Sequence, residues 1–179
     1  MRGFALVVPL VFMFWAGCST PQGVPGQSVT PPQAFEMWRA ATEQVNILDV
    51  RTPAEYVFVG HAPMARNIPV KFMANKWNAK ERKPVMTPNP DFVATVRKFY
   101  EPDDLIVTMC ASGKRSAEAV KLLKVAGFTR VLNMEGGFDG ERGEDCSDHG
   151  AGKPIKRGWR DCGLIWTWAV DPEFFYTAD

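Results

Sequence analysis

The sequence predicts an α/β domain with a mainly parallel sheet and helices on both of its faces. Three observations predict it. The apolar runs "VNILDV" (45–50), "LIVTMC" (105–110) and "RVLNM" (130–134) have the length and continuous hydrophobicity of strands buried on both sides. Segments of helical periodicity separate them, and parallel strands need such crossovers. The apolar fraction of 46% and charged fraction of 23% are those of a globular chain, so 179 residues can bury one ordinary core.

Taken in order, the chain opens with Arg2 and an uncharged, mostly apolar run ending at Gly17. That run is short for a spanning helix and has the layout of a secretory signal over 1–17. The following "WAGC" resembles the cleavage box of bacterial lipoproteins, which implies lipidation of Cys18; Trp15 stands where that box usually carries a leucine-like residue. Ser19 resembles the pattern sorted to the outer membrane. The expectation is a periplasmic-side domain of the cell envelope, tied to the membrane by a lipid anchor or otherwise soluble in the periplasm. Residues 18–29, rich in Pro, Gly, Ser and Gln, read as a flexible tether.

The folded domain is expected over 30–140. Thr30-Pro31 fits a helix N-cap followed by proline at the first helical position, and Phe35, Trp38 and Ala41 give one apolar face. "ARNIPV" (65–70) is a weaker strand, stopped by Pro69. Residues 71–88 form a basic, proline-containing excursion of unassigned structure. "NPDFVATVRKFY" (89–100) repeats apolar residues at Phe92, Val93, Val96, Phe99 and Tyr100, at helical spacing. From Lys114 to Ala126, Ala119, Leu122, Leu123 and Ala126 share a face, and Gly127 suits a helix C-cap. "EGGFDGERG" then reads as turns. Residues 141–179 hold Trp159, Trp166 and Trp168 without clear periodicity and are expected to pack on the domain as an irregular extension.

Charge narrows the function. Lys plus Arg (21) nearly balance Asp plus Glu (20), so nothing argues for nucleic acid as a partner. Cys18, Cys110, Cys146 and Cys162 lack zinc spacing, and His61 and His149 pair with none of them as ligands, so no metal is expected. His61 reads as structural and His149 as solvated.

Cys110 ends a buried strand immediately before a helix, and parallel sheets bind ligands at the carboxyl ends of their strands. The loop Cys110-Ala111-Ser112-Gly113-Lys114-Arg115-Ser116 must turn sharply about the sulfur, which Gly113 permits. Its amide groups can then bind an anion, either the thiolate or a substrate oxyanion. A helix N-terminus and nearby cations favour the thiolate, the nucleophilic form. Lys114 and Arg115 are placed to hold an anionic substrate. The alternative is a packed structural cysteine beside a solvated basic helix start.

Three motifs in order resemble the rhodanese family of sulfurtransferases: "LDVRTPAEYVFVGHAPMARNIPV" (48–70), "CASGKRS" (110–116) and "EGGFDGER" (135–142). The resemblance covers roughly 30–140. It implies a five-stranded, mainly parallel sheet and a cycle in which Cys110 takes sulfur from a small anionic donor such as thiosulfate. A thiol, cyanide or protein acceptor then receives it, with no cofactor. The family pattern also implies that Asp49 and Arg51 are architectural, fixing loops near the site. Arg115 follows Cys110 at the fifth position, whereas related phosphatases and arsenate reductases have a loop one residue longer; the shorter loop favours sulfur transfer. A binding or persulfide-carrier module without useful turnover is the second reading. A monomer is expected. Cys146 and Cys162 can form a disulfide in an oxidising compartment, or one of them can act as a resolving thiol for Cys110.

Overall fold

The computed structural model describes residues 28–142 and 154–178. The expected signal (1–17), Cys18, most of the tether, Cys146 and His149 lie outside the described residues. So does one partner of the Cys146–Cys162 pairing.

The central sheet has five strands: β1 (Ser28–Val29), β2 (Val45–Asp49), β3 (Ala65–Asn67), β6 (Leu105–Met109) and β7 (Arg130–Met134). Their order is β1-β7-β6-β2-β3 and every neighbouring pair is parallel. The α/β class is therefore as expected. One correction concerns the tether: Ser28 and Val29 pair with Asn133 and Met134 and belong to the sheet. The Glu135 amide extends this pairing by donating to the Val29 carbonyl at 2.9 Å.

Alternation along each strand divides the core into two layers. Val45, Ile47, Leu105, Val107, Met109, Leu132 and Met134 face one side, where α1 (Pro31–Ala40) packs through Ala34, Phe35 and Trp38. Leu48, Val50, Ile106, Cys110 and Val131 face the other, under α3 (Phe92–Val96) and α4 (Lys114–Val125). Helices thus cover both faces, and Cys110 lies on the α4 side.

Local signals start the helices. Thr30 caps α1 and Gln33 bonds back to it, a capping box with proline inside the first turn. The same device, Thr52 with Glu55, starts α2 (Pro53–Val59), a helix that periodicity alone did not indicate. The helix expected across 89–100 is confined to 92–96 and continues as turns through Phe99.

The basic excursion is an antiparallel hairpin of β4 (Lys71–Asn78) and β5 (Lys83–Pro88), separate from the main sheet. A register shift between Met73 and Trp77 interrupts its alternation. Arg82 at its tip has φ +51°, a left-handed conformation rarely held by a side-chain-bearing residue.

The C-terminal extension packs on the domain where it is described. β8 (Glu141–Arg142) pairs antiparallel with β9 (Pro154–Lys156). Trp159 is fully buried, and its indole N–H donates to the Ile165 carbonyl at 2.8 Å. His61 and Thr167 exchange two backbone bonds, at 2.9 and 2.8 Å. Further on, the Asn67 amide donates to the Phe174 carbonyl at 2.8 Å. The tail therefore runs beside the outermost strand, β3. Trp166 is half-buried against Phe138, and Trp168 is exposed.

Candidate active site

β6 delivers Cys110 to the carboxyl edge of the sheet, one residue beyond its last strand position. The chain then reverses around the sulfur. Gly113 has φ +95° and is the N-cap of α4. In that conformation its amide points back and donates to Cys110 Sγ at 3.2 Å. The hydroxyl of Ser116, in the first turn of α4, donates to the same sulfur at 3.4 Å. The helix start also aims the positive end of its dipole at this loop. Both of these hydrogen bonds are donated to the sulfur, the arrangement that suits a sulfur bearing negative charge. Thr108 ties the base of the loop, its single hydroxyl hydrogen shared between the carbonyls of Ser116 and Leu132 at 3.2 and 3.0 Å.

The Glu135–Gly140 turn holds the loop from the opposite side. The Phe138 and Asp139 amides donate to the carbonyls of Cys110 and Ala111, at 2.7 and 2.8 Å. Those carbonyls are thereby bonded away from the sulfur, which the Gly113 amide faces. The approach is so close that a Cβ on Gly137 would stand 2.2 Å from the Cys110 carbonyl oxygen. Glycine is required there for space as well as for its φ of +56°.

Asp49 and Arg51 pack against this turn at Phe138, and among the described residues neither bonds to the Gly113 amide or the Ser116 hydroxyl. Both are fully buried and paired, Arg51 Nη2 to Asp49 Oδ2 at 2.6 Å. Arg51 also donates to the Gly60 carbonyl at 2.8 Å, and its guanidinium stacks 4.2 Å over the Phe138 ring. The Asn67 side chain donates to the carbonyls of Asp49 and Arg51 at 3.0 and 2.9 Å. One buried arginine thus joins the end of β2, the end of α2 and the turn that grips the Cys110 loop. Burial raises the Asp139 carboxyl above its usual range, with Arg51 and Arg160 opposing this only in part. His61 stacks on Tyr56 at 3.7 Å with Nδ1 3.0 Å from the Tyr56 carbonyl, a structural placement.

The two loop cations are placed differently. Arg115 is bound end-on by Glu55, with Nη1–Oε2 at 2.8 Å and Nη2–Oε1 at 2.5 Å. Burial acts to raise the Glu55 carboxyl, but the Arg115 hydrogen bonds and charge, helped by Thr52, hold it at about 2. Lys114 is exposed and stands 3.4 Å from Glu141. Glu55 belongs to the first motif of the sequence, which gave it no role at the site; its position in the Thr52-x-x-Glu55 capping box was the available signal.

Ser112, Lys114 and Arg115 form one wall of a cavity of about 900 Å³, whose other walls are α2 and the β4–β5 hairpin. Ala111 and Ser112 are half-buried, and Ser116 is buried. Cys110 is 1% exposed, at the floor of its loop beneath that wall. Cys162 is half-buried in the C-terminal extension.

Comparisons with known proteins agree with this geometry. The rhodanese-like domain family model matches residues 33–142. Thiosulfate sulfurtransferase 16 of Arabidopsis thaliana is 40% identical over 91 residues, which cover 51% of this chain and 68% of that protein. Senescence-associated protein DIN1 of Raphanus sativus is 36% identical over 91 residues, 51% of this chain and 45% of that protein. The match thus spans only about half to two thirds of the length of these relatives. The crystal structure of Rv0390 from M. tuberculosis superposes with a TM-score of 0.58 at 28% identity, covering 80% of this chain and 98% of that one. The matched segment holds the whole five-stranded sheet after β1 and the complete Cys110 loop, and on it this chain belongs to the rhodanese-like domain family.

Proposed function

We propose that this chain is a sulfurtransferase that carries sulfane sulfur as a persulfide on Cys110. The observation that supports it is the convergence of the Gly113 amide and the Ser116 hydroxyl on Sγ at the start of α4. The Cys110 thiolate attacks the outer sulfur of a thiosulfate-like donor. The donor's S–S bond breaks, sulfite leaves with its electron pair, and Cys110 holds the added sulfur. A nucleophilic thiol then takes that sulfur and returns Cys110 to the thiolate. Donors around the sulfur stabilise the anion before and after each transfer. Lys114, exposed at the rim, meets the incoming anion; Arg115, engaged by Glu55, braces α4 against α2. The relatives named thiosulfate sulfurtransferases favour this donor class. A lipid anchor at Cys18 would put the reaction on the periplasmic side of the envelope.

The near-complete burial of Cys110 favours a second reading, a persulfide carrier that unloads only to a specific partner. One experiment separates the readings. Incubation with thiosulfate followed by intact mass spectrometry is expected to add one sulfur atom to the chain and none to Cys110→Ser. Steady thiosulfate-to-cyanide turnover then indicates an enzyme, while loading without turnover indicates a carrier. No sulfur on Cys110 refutes both.

A further inference from the structure

The cavity beside the Cys110 loop is larger than a small inorganic anion requires. Its volume of about 900 Å³ lies in the range that encloses drug-sized ligands. The β4–β5 hairpin supplies one wall through Met73, Pro84, Val85 and Met86, and α2 supplies the facing wall through Phe58 and Val59. Large apolar side chains stay exposed along this rim: Phe58 at 81%, Met73 at 60% and Trp77 at 64%. A smaller depression of about 270 Å³ shares Met73 and Pro84 with the cavity and is lined by Trp77. Asn75 and Lys76 line it beside these apolar groups, so it has the size for one anchor side chain with an acidic neighbour.

The charge of the hairpin identifies the occupant. Residues 71–88 carry Lys71, Lys76, Lys80, Arg82 and Lys83 against Glu81 alone, in a chain whose overall net charge is +1. Lys71 pairs with Glu118 and Lys83 with Glu81. Among the described residues no ion pair holds Lys76, Lys80 or Arg82, and all three are exposed. A second copy of the chain would bring an identical basic hairpin, which like-charge repulsion disfavours.

We propose that this groove seats the sulfur acceptor, an acidic protein segment that carries an apolar anchor and a reactive cysteine. The inference rests on the persulfide reading of Cys110. The apolar anchor fills the depression at Trp77, acidic side chains meet the unpaired cations of the hairpin, and the cysteine lies against the wall formed by Ser112, Lys114 and Arg115. After its thiol proton passes to solvent, the acceptor thiolate attacks the outer sulfur of the Cys110 persulfide. The S–S bond breaks, its electron pair returns to Cys110, and the acceptor leaves as a persulfide. Neither an oxidant nor a reductant is consumed.

The test uses the full chain and two synthetic cysteine peptides of equal length. One has Phe and several Glu residues around its cysteine; the other has Lys in place of each Glu. The chain is loaded with thiosulfate, and transfer to each peptide is followed in single turnover. Transfer to the acidic peptide is expected to be faster by about tenfold or more, a typical scale for complementary charge at an interface. The variant Lys76→Glu/Lys80→Glu/Arg82→Glu should abolish or invert that preference. Trp77→Ala should slow transfer to both peptides by roughly fivefold or more, since both keep the anchor. Thiosulfate-to-cyanide turnover should be unchanged in both variants. Equal rates for the two peptides overturn the proposal, as does a preference that survives the charge reversal. Hairpin-dependent binding to phosphatidylglycerol vesicles without peptide discrimination overturns it in favour of a membrane surface. If Cys110 takes no sulfur, the functional reading fails separately. Calorimetry with the cysteine-to-serine peptides then decides whether the groove binds them.

Discussion

Replacing Glu55 with Gln removes one charge from a pair that joins α2 to α4, while the remaining carbonyl can still cap Thr52. In the folded chain the Glu55 carboxyl titrates at about 2, against 4.5 for an unperturbed group. That shift already nets the cost of burial against the bonds from Arg115 and Thr52. At 1.36 kcal/mol per unit it corresponds to about 3 kcal/mol of stability for the ionised form. Because the folded value is depressed, the contribution is complete above about pH 4.5 and declines as pH falls through about 2. Urea unfolding of the wild type and Glu55→Gln should therefore differ by about 2–3 kcal/mol from neutral pH down to about 5, and the difference should shrink steadily below that. In an Arg115→Met background the same substitution should cost less than about 1 kcal/mol, because the pair is already broken. A difference that is flat between about pH 7 and 3, or an unchanged cost without Arg115, would refute the account of this ion pair.

Three further outcomes follow from the geometry. Ser116→Ala removes a donor to Cys110 Sγ and should slow sulfur loading by roughly tenfold, the effect of one lost hydrogen bond to a charged group, with little change in the urea midpoint; stopped-flow loading with thiosulfate checks it. Gly137→Ala forces a Cβ into the Cys110 carbonyl and should cost more than about 2 kcal/mol while slowing loading, read by thermal unfolding and the same assay. Trp159→Ala empties a fully buried site and should cost about 3–5 kcal/mol, which would make the extension part of the domain's cooperative unit; unfolding followed by far-ultraviolet circular dichroism measures it.

Much of the fold was legible because buried parallel strands and capped helices leave strong local marks. The runs ending at Asp49, Met109 and Met134 are strands, and Thr30 and Gly113 open helices where the chain suggests. Two-residue β1 is too short for any periodicity to reveal, since its place depends on pairing with β7 more than a hundred residues away. The hairpin escaped because its register shift breaks the period-two pattern between Met73 and Trp77. At the site, the position of Cys110 was legible as the step from a strand into a helix. The partner of Arg115 did not, because Glu55 lies sixty residues earlier and only folding brings α2 against α4. Gly137 is a similar case: its need for glycine arises from a backbone contact across the fold.

An open parallel sheet ends on each side in a strand with one free edge, here β1 and β3. The tail meets β3 where the Asn67 amide donates to the Phe174 carbonyl, and just before that strand it exchanges bonds between His61 and Thr167. An uncovered row of amides and carbonyls would recruit strands from neighbouring molecules. The last twenty or so residues therefore act as a selvedge: cutting them away should leave that edge open to pairing between molecules before it disturbs the loop around Cys110.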